Sequence, residues 1–177
     1  MSNLRLINET SISSSVSSIS VTDVFSSDFD IYKITSTGVS TTGTDYVEVG
    51  FRFINVGGIV TENSYDYGAL NMLEWQAFGD TYGTSTAIIR AFAESTDQAP
   101  ETAGANLWVF NPAVSGNYSQ VLYQNSSYYG GSYGTSYVGF GLYKVLGTMT
   151  GFNAYEANGS RPLASGTFRT YGLRVDT

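Results

Sequence analysis

The chain has 177 residues, of which 42% are hydrophobic and only 13% charged, and it contains neither histidine nor cysteine. That composition removes the side chains that titrate near neutral pH and the softest metal ligands, and with them disulfide frameworks, zinc sites and most general-base or thiolate chemistry. Eight basic against fifteen acidic residues give a formal net charge of −7, the opposite of the basic footprint that nucleic-acid binding needs.

Read from the N-terminus, Met1–Asn8 lacks the apolar core of a secretory signal, which points to a chain made in a cytoplasm and released, if at all, by something other than export. No stretch approaches the ~20 apolar residues of a membrane helix. The Ser-rich segment Thr10–Val21 keeps Ile12, Val16, Ile19 and Val21, so residues 1–22 read as an N-terminal arm or edge strand and residues 23–177 as one domain. Asp30 to Thr35 forms the next strand. Tyr46–Ile54 is the sharpest signal: Val47, Val49, Phe51 and Phe53 share one face, and Tyr46, Glu48, Gly50 and Arg52 the other. That period of two predicts a half-buried strand, ended by a turn at Gly57-Gly58.

Gly68–Phe78 reads as a strand with Leu70, Met72, Glu74 and Gln76 on one side; a helix with Leu70, Leu73 and Ala77 in register is the alternative. Further strands are predicted at Thr86 to Ala93, Leu107 to Phe110, Val121 to Gln124, Val138 to Val145 and Thr167 to Val175. Glu94 to Gly104 reads as a surface loop, and Asn125–Ser136 as a low-complexity Ser/Tyr/Gly stretch. Some ten short strands, with turn signals between them and almost no helical periodicity, predict an all-β fold. The expected form is an antiparallel β-sandwich, jelly-roll-like.

Catalytic constellations are thin. A serine nucleophile without histidine needs a lysine, and the two lysines, Lys33 and Lys144, fall inside predicted strands, where edge protection is the ordinary role. Glu74 beside Trp75 could serve a glycosidase, but a solvent-facing strand Glu is the simpler reading. Asp28-Phe-Asp30 lacks the rest of a calcium loop and reads as a turn held by Asx-type bonds. No phosphate-binding glycine loop is present. The sequence therefore implies no enzyme, no metal and no cofactor. The four Asn-x-Ser/Thr sequons, at Asn8, Asn117, Asn125 and Asn158, are close to chance in so Ser/Thr-rich a chain.

The remaining candidates are aromatic. Tyr128, Tyr129, Tyr133 and Tyr137, spaced by Ser and Gly, have the composition of adaptable binding loops, in which tyrosine supplies amphipathic contact area at low entropy cost. Equally, they could line a hairpin tip lying on the chain's own sheet. Trp75 and Trp108 could stack on sugar rings.

Three segments together carry a family likeness: Val16–Ile34 with its aromatic-x-x-Tyr-x-Ile strand, Tyr65-Asp-Tyr-Gly68, and Gly151-Phe152 followed by Ala164-Ser-Gly-Thr-Phe-Arg-Thr-Tyr-Gly-Leu-Arg174. In this order they resemble β-rich virion structural proteins of tailed bacteriophages, marine and cyanobacterial ones among them, described as capsid knob or decoration proteins or as tail and fibre proteins. The resemblance implies a non-enzymatic virion component with a jelly-roll-like fold, assembled in the host cytoplasm and docked on major capsid or tail subunits. The leading expectation is a homo-oligomeric capsid surface subunit. The alternative is a tail or fibre module that binds a receptor or host-surface glycan through Tyr128–Tyr137 and Trp75 or Trp108.

Overall fold

The computed structural model describes residues 3–44, 47–75, 78–92, 94–95, 101–129, 133–157, 159 and 161–173. Among them are thirteen strands and no helix: β1 Leu4–Ile12, β2 Ser18–Val21, β3 Ile31–Thr41, β4 Val47–Asn55, β5 Gly58–Ile59, β6 Tyr65–Leu73, β7 Gly79–Thr86, β8 Glu94–Ser95, β9 Ala103–Phe110, β10 Ser119–Tyr129, β11 Tyr133–Tyr143, β12 Met149–Glu156 and β13 Leu163–Leu173. All pair antiparallel. Eight form one sheet in the order β1-β13-β3-β9-β10-β11-β6-β7; a smaller sheet runs β2-β12-β4-β5, with β8 also paired to β4. The two sheets pack as an antiparallel β-sandwich.

The core is aromatic. Val47, Val49, Phe51 and Phe53 of β4 all point inward and are buried, as their alternation predicts; Tyr46, on the opposite parity, lies outside the described residues. Phe51 stacks on Phe152 of β12 with ring centroids 5.8 Å apart, and meets Phe53 edge-on at 4.9 Å. The large sheet answers with Tyr65, Tyr143 and Phe168: Phe53 lies 6.4 Å from Tyr65, and Phe152 6.4 Å from Phe168. Offset and edge-on pairs of this kind add to the burial of the rings themselves. The phenols at the rim of this core bond to loops. Tyr65 donates to the Val60 carbonyl and accepts from the Phe53 N–H, Tyr32 exchanges two bonds with the Ser26 backbone, and Tyr143 bonds the Glu62 carboxylate. Several of the fourteen tyrosines are thus core residues whose hydroxyls are satisfied by protein partners.

In the N-terminal segment β1 lies at an edge beside β13 and β2 at an edge beside β12, and Val16 bridges to Leu163. Several other expectations need correction. Gly68–Phe78 is strand only to Leu73; Glu74 and Trp75 sit in a turn, and Gln76 and Ala77 lie outside the described residues. Beyond Thr86, residues 87–92 are not a strand, and Ala93 lies outside the described residues. The chain leaves β7 at Thr86, and Ile89 alone bridges to Phe51, plugging the core from an irregular segment. Glu94 to Gly104 is not simply a surface loop, because Glu94 and Glu101 are buried, Glu94–Ser95 pairs with β4, and Ala103 already belongs to β9; Pro100 lies outside the described residues.

Neither lysine guards an edge. Lys33 lies on a central strand with its ammonium 5.5 Å from the centre of the Trp108 ring, and Lys144 pairs with Asp66 at 2.8 Å. The Asp28–Asp30 turn is held by Ser26, whose hydroxyl accepts from the Asp28 N–H at 3.2 Å, rather than by the aspartate carboxylates.

Candidate binding face

Of the sequence candidates, the Ser/Tyr stretch changes most. Asn125–Tyr129 and Tyr133–Ser136 are strand, with the residues between them outside the described ones: β10 and β11 are each eleven residues long and stay in register from Ser119↔Tyr143 to Tyr129↔Tyr133. Their period of two is masked because polar side chains occupy both faces. Asn125, Ser127 and Thr135 point in and are buried, while Ser126 and Tyr128 point out. Tyr137 is on the inner side. Its hydroxyl donates to Glu94 Oε1 at 3.0 Å and accepts from Asn71 Nδ2 at 3.3 Å. Tyr128 is exposed on the outer face; Tyr129 and Tyr133 pair at the hairpin end, and their side chains lie outside the described residues.

Trp75 is exposed in the turn after β6, next to Glu74, whose N–H donates to the Gly134 carbonyl at 3.3 Å. Trp108 sits in mid-sheet on the outer side of β9, in the cross-strand row of Leu122 and Phe140. Tyr128, Tyr137, Trp75 and Trp108 therefore do not converge on one site. Nor do acidic side chains: among the described residues no group of three or more could hold a metal ion. No helix among them is long and apolar enough to cross a membrane.

What the fold builds instead is the outer face of the eight-stranded sheet. One cross-strand row crosses all eight strands as Leu6, Tyr171, Lys33, Trp108, Leu122, Phe140, Gly68 and Tyr82. The next row towards the hairpin reads Glu9, Arg169, Thr35, Asn106, Gln124, Val138, Leu70 and Asp80. On the β10-β11-β6-β7 side these rows make an apolar patch of Leu122, Phe140, Val138, Leu70 and Tyr82, each between 45% and 75% exposed. Gly68 leaves a hollow of about 380 Å³ between Phe140 and Tyr82. Fully burying such a side chain is worth about 1.5–3 kcal/mol. Leaving five adjacent ones in water thus forgoes several kcal/mol, and contiguous patches of this kind mark contact surfaces.

Sequence reading missed this patch because β11 inverts the usual rule. Its inward positions include Gly139 and Gly141, which have no side chains; a Cβ there would stand 2.7 Å from Tyr123 and 2.4 Å from Ile89. Those neighbours fill the core over the glycines, leaving Val138 and Phe140 outside. Glycine alternating with large apolar residues was the available signal.

On the β3-β9-β10 side the same face turns polar and hollow. Thr37 and Gly38 of β3 oppose the single Gly104 of β9, a bulge with Gly38 in the left-handed region at φ 63°. The strands part there and leave a cleft of about 510 Å³ lined by Thr35, Thr37, Asn106, Gln124, Ser126 and Ser136 over a floor at Gly104. Among the described residues no lysine, arginine, aspartate or glutamate lines it.

No protein-family model, curated protein or solved structure matches this chain.

Proposed function

We propose that this chain is a structural surface subunit of a tailed-bacteriophage particle, a capsid knob or decoration protein of jelly-roll kinship, that works by docking against copies of itself. The observation that carries the reading is the patch formed by Leu122, Phe140, Val138, Leu70 and Tyr82. A chain of net charge −7 repels its own copies across most surfaces. The charged groups at its rim are Asp80 and the Asp66–Lys144 ion pair, whose charges cancel, so two copies can meet there while bringing few like charges together. The hollow at Gly68 offers each copy a socket for an apolar side chain of the other. The family likeness of Val16–Ile34 and Ala164–Arg174 supports placing such a subunit on a virion.

Two measurements test the reading. Sedimentation velocity should show a concentration-dependent oligomer for the parent and a monomer of unchanged melting temperature for the Leu70→Lys/Phe140→Glu double variant. Quantitative mass spectrometry of the particles should count dozens of copies or more. A parent that stays monomeric at high concentration would refute docking through this face, and a count of only a few copies would refute the capsid position.

A further inference from the structure

We propose that the cleft between β3, β9 and β10 is a binding site for a neutral oligosaccharide. It is a different place from the apolar patch and does not depend on self-association.

Thr35, Thr37, Asn106, Gln124, Ser126 and Ser136 are hydroxyls and amides, and every one of these groups can both donate and accept a hydrogen bond. Sugar hydroxyls have the same dual capacity. Among the described residues, the side chains of Thr35, Asn106, Gln124 and Ser126 have no protein hydrogen-bond partner, so they are available to a ligand; Ser136 is engaged, donating to the Asn125 carbonyl at 2.5 Å.

The same walls exclude other ligand classes. Among the described residues no cationic side chain lines the cleft; of the two that flank it, Arg169 opposite Thr35 is paired with Glu9 and Lys33 is held against the Trp108 ring, so phosphates, carboxylates and nucleic acids find little free counter-charge. An extended peptide would need free backbone groups at a sheet edge, but β3, β9 and β10 are each paired on both sides. Recognition here is left to side chains. A drug-like apolar ligand would find no large apolar side chain among the lining residues.

One aromatic ring completes the site. Trp108 lies two residues along β9 from Asn106 on the same outer face, and Lys33 sits 5.5 Å from its ring centre, which helps fix the indole. A pyranose has one face of C–H groups that packs against such a ring while its hydroxyl rim reaches Asn106 and Gln124. The recess itself exists because Gly104 carries no side chain. A Cβ added there meets nothing nearer than the Ser36 carbonyl at 3.4 Å, so the backbone tolerates substitution while a larger side chain would fill the cleft.

The test uses the full chain carrying Trp75→Phe, which leaves Trp108 as the one tryptophan of the two in the sequence. Fluorescence titration and calorimetry are run with maltohexaose, cellohexaose, mannohexaose and chitohexaose, with sialyllactose as the anionic control. At least one neutral hexasaccharide should shift Trp108 emission, with sialyllactose inert. Gly104→Val, and separately Asn106→Ala/Gln124→Ala, should weaken binding at least tenfold with melting temperature unchanged, and the Leu70→Lys/Phe140→Glu variant should bind as the parent does. Failure of every neutral sugar, preference for sialyllactose, or binding that survives both cleft variants would each overturn the proposal. Should Gly104→Val misfold, the Asn106→Ala/Gln124→Ala variant alone decides.

Discussion

Asn125 and Tyr137 face one another across the β10–β11 hairpin, and the Tyr137 backbone N–H donates to Asn125 Oδ1 at 3.0 Å. The other end of the same amide, Nδ2, donates to the Ala91 carbonyl at 3.1 Å. With 2% of its surface exposed, Asn125 ties the hairpin to the segment that plugs the core. Asn125→Ala would strand two backbone groups. A buried group without its partner costs about 1–3 kcal/mol, so a loss of about 2–4 kcal/mol in denaturant melts is expected. A loss below about 0.5 kcal/mol would mean that water replaces both bonds. The same burial leaves no room for a glycan on this sequon.

Phe51 is fully buried and touches Phe53, Phe92 and Phe152. Phe51→Ala should cost about 3–5 kcal/mol, the range for removing a core aromatic ring. A denaturant melt showing less than about 1 kcal/mol would put the register of β4 in error.

These two residues also show what could be read from the sequence. Phe51 belongs to Val47–Phe53, where a hydrophobic side chain at every second position declares both strand and buried face. Asn125 stands where the inward side of β10 passes from Val121 and Tyr123 to Asn125 and Ser127, and the pattern vanishes because the buried side chains there are polar, that of Asn125 held by specific hydrogen bonds rather than by hydrophobicity. The candidate site was less legible still. Its apolar half depends on glycines at Gly139 and Gly141 letting neighbours in, and its polar half on a bulge at Thr37–Gly38. Both are relations between strands, which no local window contains.

Buried phenols set the response to alkali. Burial pushes the Tyr65, Tyr123, Tyr137 and Tyr143 hydroxyls well above the ordinary value of 10.0, and neighbouring Glu94 and Glu62 carboxylates push Tyr137 and Tyr143 further. Because the folded values are raised, the unfolded chain loses these protons first. Their contribution is complete below about pH 10 and is lost as pH rises through the folded values. Stability should therefore change little from about pH 6 to 9, where neither histidine nor cysteine is present to titrate, and fall steeply above about pH 10. Phenolate absorbance should show these four tyrosines ionising only with unfolding; ionisation in the still-folded protein would contradict their burial.

Gly151 is where the smaller sheet closes most tightly. A Cβ at this position would stand 2.1 Å from the Val21 carbonyl oxygen and 3.0 Å from the Thr22 Cα. Both are backbone atoms, at the point where β2 pairs with β12 through Val21↔Phe152. Neither can swing aside as a side chain could, so Gly151→Ala must push β2 outward and disturb Val21 and Phe152, both buried. Overpacking of this kind costs about 1–3 kcal/mol and occasionally more. Gly116→Ala is the matched control, since a Cβ there meets nothing within 4 Å and should change stability by less than about 0.5 kcal/mol. Hydrogen exchange separates the mechanisms: Gly151→Ala should lose protection first at Ile19–Val21, while the large sheet stays protected. Equal stability of the two variants would mean that β2 does not press on β12 at Gly151.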